Sequence, residues 1–100
     1  MYGTLMRLKI KVGQLEKAKK HFESWEDTRQ PQVKGAKGGV MLAPEGNSNQ
    51  LVGIAVFEDE ETYRANADDP EQHQWYLSLR ELLEEDPDWE DGEVVWAQVV

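Results

Sequence analysis

The stretch "QLVGIAVFE", residues 50–58, restricts the fold more than any other part of the chain. It is rich in β-formers, and a strand sends alternate side chains to opposite faces. Leu51, Gly53, Ala55 and Phe57 fall on one face, and Val52, Ile54 and Val56 on the other. Both faces are apolar. Such a strand sits centrally in a sheet, and each of its faces needs cover.

The other elements provide cover for one face. "TLMRLKIKV" alternates, with Met6, Leu8, Ile10 and Val12 on an apolar face, and Gly13 breaks it. In "QLEKAKKHFESWED", Leu15, Ala18, Phe22 and Trp25 form one helical stripe. "GVMLAP" precedes "QLVGIAVFE" across the loop "EGNSN", which reads as a hairpin. "EDEETYRANA" is a short helical turn with acids at its start. Asp68 or Asp69 then caps a helix, Pro70 is its first residue, and the periodicity carries it to about Glu85 before Pro87. "GEVVWAQVV" is expected as the last strand, apolar on both faces, and "DPDWEDGE" as an acidic loop pinned by Trp89. The order β-α-β-β-α-β predicts an α+β, ferredoxin-like βαββαβ fold over residues 1–100, one domain. Its antiparallel four-stranded sheet carries both helices on one face. The other face would leave a large apolar patch in water, so a homodimer is expected to close it. The alternative is a monomer with an unusually apolar sheet.

Charge narrows the partners. The chain of 100 residues has a net charge of −9. Residues 1–57 hold nine Lys/Arg and five Asp/Glu, whereas residues 58–100 hold two and fifteen. An acidic surface disfavours phosphate backbones, so no nucleic-acid partner is expected. No apolar run is long enough to span a membrane. With no cysteine, disulfides, thiolate catalysis and cysteine-ligated zinc are excluded. "MYGTLMRLKI" shows no secretory leader, and a cytoplasmic location is the expectation.

Several motifs fail on inspection. "DPDWEDGE" has the acid density of a calcium loop, but Gly92 is misplaced and no closing glutamate follows. "KGAKGG" lacks the ending of a phosphate loop, and its glycines are expected to allow a bulge or a close backbone approach. His21 and His73 form no metal-ligand spacing, and no metal site is expected. His21 reads as a surface residue.

The segments "RLKIKVGQLEKAKKHF", "KGAKGGVML" and "GIAVFEDEETYRANADDPEQHQWY", with a closing strand, resemble the dimeric α/β-barrel superfamily. Within it they resemble the antibiotic-biosynthesis-monooxygenase-like (ABM) domains. The resemblance implies a dimer with a ligand pocket between sheet and helices in each subunit. Some ABM-like proteins oxidise aromatic polyketides with O₂ and no cofactor, others degrade haem, and others are signal- or stress-related. Aligned at Phe57, the chain has Asn66 and Tyr76 where the haem-degrading branch has its Trp and His, so haem degradation is not expected.

The nine residues "DDPEQHQWY", 68–76, concentrate the candidate chemistry. On a helical wheel Trp75, Tyr76, Leu79, Leu82 and Leu83 cluster, with His73 on the flank. They read as a cap followed by core rings. They also read as a cavity edge, with His73 as general base and Asn66 hydrogen-bonding a substrate oxygen. Trp75 and Tyr76, together with Trp25 and Phe57, would then wall the substrate site. Two functions follow as expectations. One is a cofactor-independent monooxygenase acting on a small aromatic or enolisable compound. The other is a non-catalytic small-molecule-binding or stress-related dimer.

Overall fold

The computed structural model describes residues 1–47 and 49–98. Strands β1 (Tyr2–Lys9), β2 (Ala36–Leu42), β3 (Gln50–Phe57) and β4 (Asp88–Glu93) form one antiparallel sheet in the order β2-β3-β1-β4. Helix α1 (Leu15–Thr28) joins β1 to β2, with a 3₁₀ turn at Gln30–Gln32. Helices α2 (Glu60–Ala67) and α3 (Pro70–Arg80) join β3 to β4. This is the expected ferredoxin-like α+β arrangement.

Local chemistry explains most boundaries. Asp59 caps α2: its carboxylate accepts the Thr62 N–H at 2.8 Å, and the Thr62 hydroxyl lies 3.4 Å from the Asp59 N–H. Asp69 caps α3, accepting the Glu71 N–H at 2.9 Å, with Pro70 as first helical residue. The helix ends at Arg80, short of Glu85, because the chain beyond it finds strand-like partners. Lys11 N–H donates to Leu82 at 2.9 Å, Glu84 N–H donates to Lys9 at 2.9 Å, and Ile10 bridges Leu83. In β2 the register shifts between Ala36 and Gly38, the bulge anticipated from the glycines.

The core lies between the sheet and the helices. Leu8, Ile10, Leu51, Ala18, Leu79 and Leu83 form one buried cluster, supported by Leu15, Phe22, Met41, Trp75 and Leu82. β1 contributes Met6 and Leu8 as its alternation requires, but Val12 lies beyond the strand and is exposed. Gly53 faces this core side, opposite Met6. A β-carbon there would lie 2.9 Å from the Val40 carbonyl oxygen and would overlap the Met41 sulfur, so only glycine lets Met41 cross the sheet.

The last strand departs from expectation. It is the acidic segment 88–93, and residues 94–98 lie outside any strand, with Val95 and Trp96 exposed. The expected partners Val99 and Val100 fall outside the described residues. Every residue of β4 is exposed, and its composition is poor in β-formers. Its pairing is imposed by the free edge of β1, in register Met6↔Trp89 and Thr4↔Asp91. Charged side chains on an edge strand also hinder pairing with a further chain. The last strand is therefore not apolar on both faces, whereas β3 is. Ile54 on the helix-free face is exposed, and so are Val40 and Leu42 beside it in β2.

Candidate functional site

A cavity of about 970 Å³ opens between the helices and the sheet. Its floor comes from the sheet: Thr4 and Met6 of β1, Met41 of β2, and Ala55 and Phe57 of β3. Its walls come from Phe22 and Trp25 of α1, Tyr63 and Asn66 of α2, and Gln72, His73, Trp75, Tyr76 and Leu79 of α3. A largely apolar concavity with a few polar groups is the usual form of a small-molecule site. The charged groups lining it are Glu23, Glu26 and Asp91; among the described residues no lysine or arginine lines it.

All six residues singled out from the sequence meet at this cavity: His73, Asn66, Trp75, Tyr76, Trp25 and Phe57. Their environments differ. Phe57 is buried and packs edge-on against Tyr63, with centroids 5.5 Å apart. His73 is exposed at the rim, its ring 6.3 Å from that of Tyr76. Burial pushes the Tyr76 hydroxyl above the usual phenol range, and the negative Asp86 adds to this, so Tyr76 stays protonated at neutral pH.

Trp75 has a second role as the joint between α3 and α1. Its ring stacks on His21 with centroids 4.3 Å apart and meets the edge of Phe22 at 5.6 Å. The indole N–H donates to Ser24 Oγ at 3.3 Å. His21 is half-buried here, contrary to the surface position expected from its sequence context. Its Nε2 lies 2.8 Å from the Trp75 carbonyl oxygen, which can only accept, so Nε2 carries a proton.

Two further groups were not legible in the sequence. The first is Arg29, buried between α1 and the α2–α3 corner. It pairs with Asp69 at 3.2 Å and Glu71 at 3.0 Å. Its Nε donates to Gln72 Oε1 at 3.2 Å, and the Trp25 indole donates to the same oxygen at 3.1 Å. One signal was available: Arg29 extends the stripe 15, 18, 22, 25 by four residues, which places a charge on an apolar helix face. The second group sits at the β1–β4 end of the cavity. Tyr63 donates to Asp91 Oδ1 at 2.9 Å, and Arg64 Nη1 donates to Asp91 Oδ2 at 3.1 Å. Burial raises the Asp91 carboxyl, but Thr4, Tyr63 and Arg64 outweigh it and hold the group below the ordinary carboxylate range. Burial, and then the neighbouring Asp91, push the Tyr63 hydroxyl up. With Asp91 assigned to a loop, nothing in the sequence linked it to Tyr63.

The Asp69 cap gives a pH prediction. The Glu71 backbone N–H, aided by Arg29, holds this carboxyl below 3.8. The folded state therefore favours the ionised form. That contribution is complete above pH 3.8 and is lost as pH falls through the lower folded value. Asp69→Asn is expected to remove it. Urea midpoints followed from about pH 6 to about pH 2 should fall less steeply in acid for the variant than for the parent. Equal acid slopes would show that the cap is energetically silent.

Comparison with known proteins fixes the family. The NIPSNAP family model matches residues 3–93. The chain belongs to the NIPSNAP family. No match is found among curated proteins. This NIPSNAP chain is similar in structure to a variant of SnoaB, a cofactor-independent oxygenase from Streptomyces nogalater. That match has a TM-score of 0.79 at 18% identity and covers 96% of this chain and 94% of SnoaB. It is also similar to an antibiotic biosynthesis monooxygenase, with a TM-score of 0.76 at 12% identity, covering 95% of this chain and 99% of the other. A protein of unknown function from Nitrosomonas europaea gives a TM-score of 0.79 at 18% identity, covering 99% of this chain and 93% of that one. At such identities the likeness shows the fold. The resemblance to ABM domains thus holds for the fold, and the family is NIPSNAP. Among the described residues no helix is long and apolar enough to cross a membrane.

Proposed function

We propose that the cavity binds a small aromatic or enolisable compound and oxidises it with O₂, without a cofactor. One observation carries this reading: Asn66, His73 and Tyr76 open on the same largely apolar cavity, beside Trp25 and Phe57. The all-acidic charged lining favours a neutral ligand over a carboxylate or phosphate. His73 at the rim removes a proton from an activated carbon or phenol, since a neutral imidazole nitrogen is a proton acceptor. The resulting anion passes an electron to O₂ in a water-poor space, and the two radicals combine at carbon. Loss of water from that peroxide leaves a carbonyl. In balance, a substrate CH₂ and O₂ give C=O and H₂O.

Oxygen uptake with an anthrone-type compound or a 1,3-diketone tests this. Uptake is expected, and His73→Ala should slow it about a hundredfold. No uptake by the parent, or equal uptake by His73→Ala, would overturn the assignment. A second reading, a binding protein without catalysis, is favoured by one feature: His73 is exposed, and no hydrogen bond orients its imidazole among the described residues. Compounds that bind without consuming O₂ would establish that reading.

The proposal includes a homodimer formed through the helix-free sheet face. Val40, Leu42 and Ile54 are 64%, 62% and 44% exposed there, flanked by half-buried Leu5, Val52 and Val56. Arg7 and Glu90 on the same face pair with each other at 3.5 Å within the chain, so the apolar patch is bordered by a neutralised pair that a second copy can cover.

A further inference from the structure

Two amides at the α2–α3 corner are oriented by groups that can only donate. Gln72 Oε1 accepts from Arg29 Nε at 3.2 Å and from Trp25 Nε1 at 3.1 Å. Asn66 Oδ1 faces Arg29 Nη2 at 3.5 Å. A guanidinium and an indole N–H offer no acceptor, so flipping either amide would set N–H against N–H. Each carbonyl therefore points toward Arg29 and each NH₂ away from it. Neither NH₂ has a protein acceptor among the described residues, and both side chains line the cavity. Arg29 is 5% exposed and tied to Asp69 and Glu71, so it cannot turn aside.

We propose that Arg29 and Trp25 lock the amides of Asn66 and Gln72 so that their two NH₂ groups form a donor cradle for a negatively charged oxygen, an enolate or phenolate, of the bound ligand. This rests on the ligand-binding reading above and names the group recognised. Two N–H donors stabilise an oxygen anion more than its neutral acid. Asp69 and Glu71 offset the charge of Arg29, and the charged groups lining the cavity are acids. The site therefore repels ligands that arrive as anions and stabilises an anion formed in place. Gln72 is a ligand-contacting residue in this account, and Arg29 is a positioning residue.

The test uses 4-nitrophenol as probe, with 4-nitroanisole as a control that cannot ionise. The bound phenol is titrated by its absorbance. Its ionisation constant on the protein is expected to be about tenfold higher than in water. Gln72→Leu should remove most of that gain; it also takes the acceptor from Arg29 Nε and Trp25 Nε1, so its thermal midpoint is expected to fall while the probe still binds. Arg29→Lys keeps the positive charge but cannot hold both carbonyls, and it should also remove most of the gain. If Arg29→Lys fails to fold, Gln72→Leu together with Asn66→Leu decides the matter. A probe that binds with its ionisation unshifted, or a shift that survives Gln72→Leu, overturns the cradle and leaves the cavity as a binding site. Failure of both the phenol and the anisole to bind overturns the binding reading, and the cradle with it.

Discussion

Leu8→Ala is expected to lower the unfolding free energy by about 4 kcal/mol. Leu8 is fully buried and lies opposite Leu51 in the β1–β3 register. It belongs to the cluster that joins the sheet to α1 through Ala18 and to α3 through Leu79, with Leu83 beyond the helix end. Truncation leaves a void that cannot collapse easily, because its floor is a hydrogen-bonded sheet with pairing on both sides of β1. The cost therefore belongs at the upper part of the usual range for such a change. Leu77→Ala, at a 42% exposed position on α3, should cost under about 1 kcal/mol. Urea unfolding of the two variants measures the difference, with an unchanged slope confirming that the denatured state is the same. A Leu8→Ala loss below about 1.5 kcal/mol would mean that the cluster is loosely packed.

The second large effect concerns association. Ile54→Asp should turn the proposed dimer into a monomer at micromolar concentration. Ile54 is central in β3, with Leu5 opposite it in β1 and Val40 in β2. A two-fold interface counts each substitution twice, so two carboxylates would be buried without partners. At about 2–3 kcal/mol each, the dissociation constant should rise more than about 10³-fold. Light scattering and sedimentation velocity report the change. Leu77→Asp, at a comparably exposed position on α3, serves as control and should leave the association state unaltered. A parent protein that is already monomeric at micromolar concentration, with its sheet face in water, would remove the dimer. The cavity opens between the sheet and the helices, but Val40, Ile54 and Val56 also border it, so ligand binding is measured alongside the association state.

The legible parts of the fold share a cause. The Asp69–Pro70 start of α3 and the apolar stripe of α1 follow from chemistry within one or two turns of chain. So does the doubly apolar β3. Each could be read from neighbours in sequence, and each stands where it was expected. Convergence of the six candidate residues on one cavity is consistent with the same reading. The groups missed at the site depend on distant partners. Arg29 is separated from Gln72 by 43 positions, and Tyr63 from Asp91 by 28. No local pattern records such pairs. The misplaced last strand has the same origin. "DWEDGE" is a poor strand former by composition, and "VVWAQ" a good one, yet the structure pairs the first with β1.

By itself the sequence determined the alternation of elements, the caps and the faces that must avoid water, because these depend on periodicity and on hydrogen bonds between near neighbours. Only the tertiary structure decided which segment completes the sheet. It also decided where α3 stops and which way the amides of Asn66 and Gln72 point. Those choices are made by partners brought together in space: the open edge of β1, the backbone of Lys9 and Lys11, and a guanidinium that cannot accept a hydrogen bond.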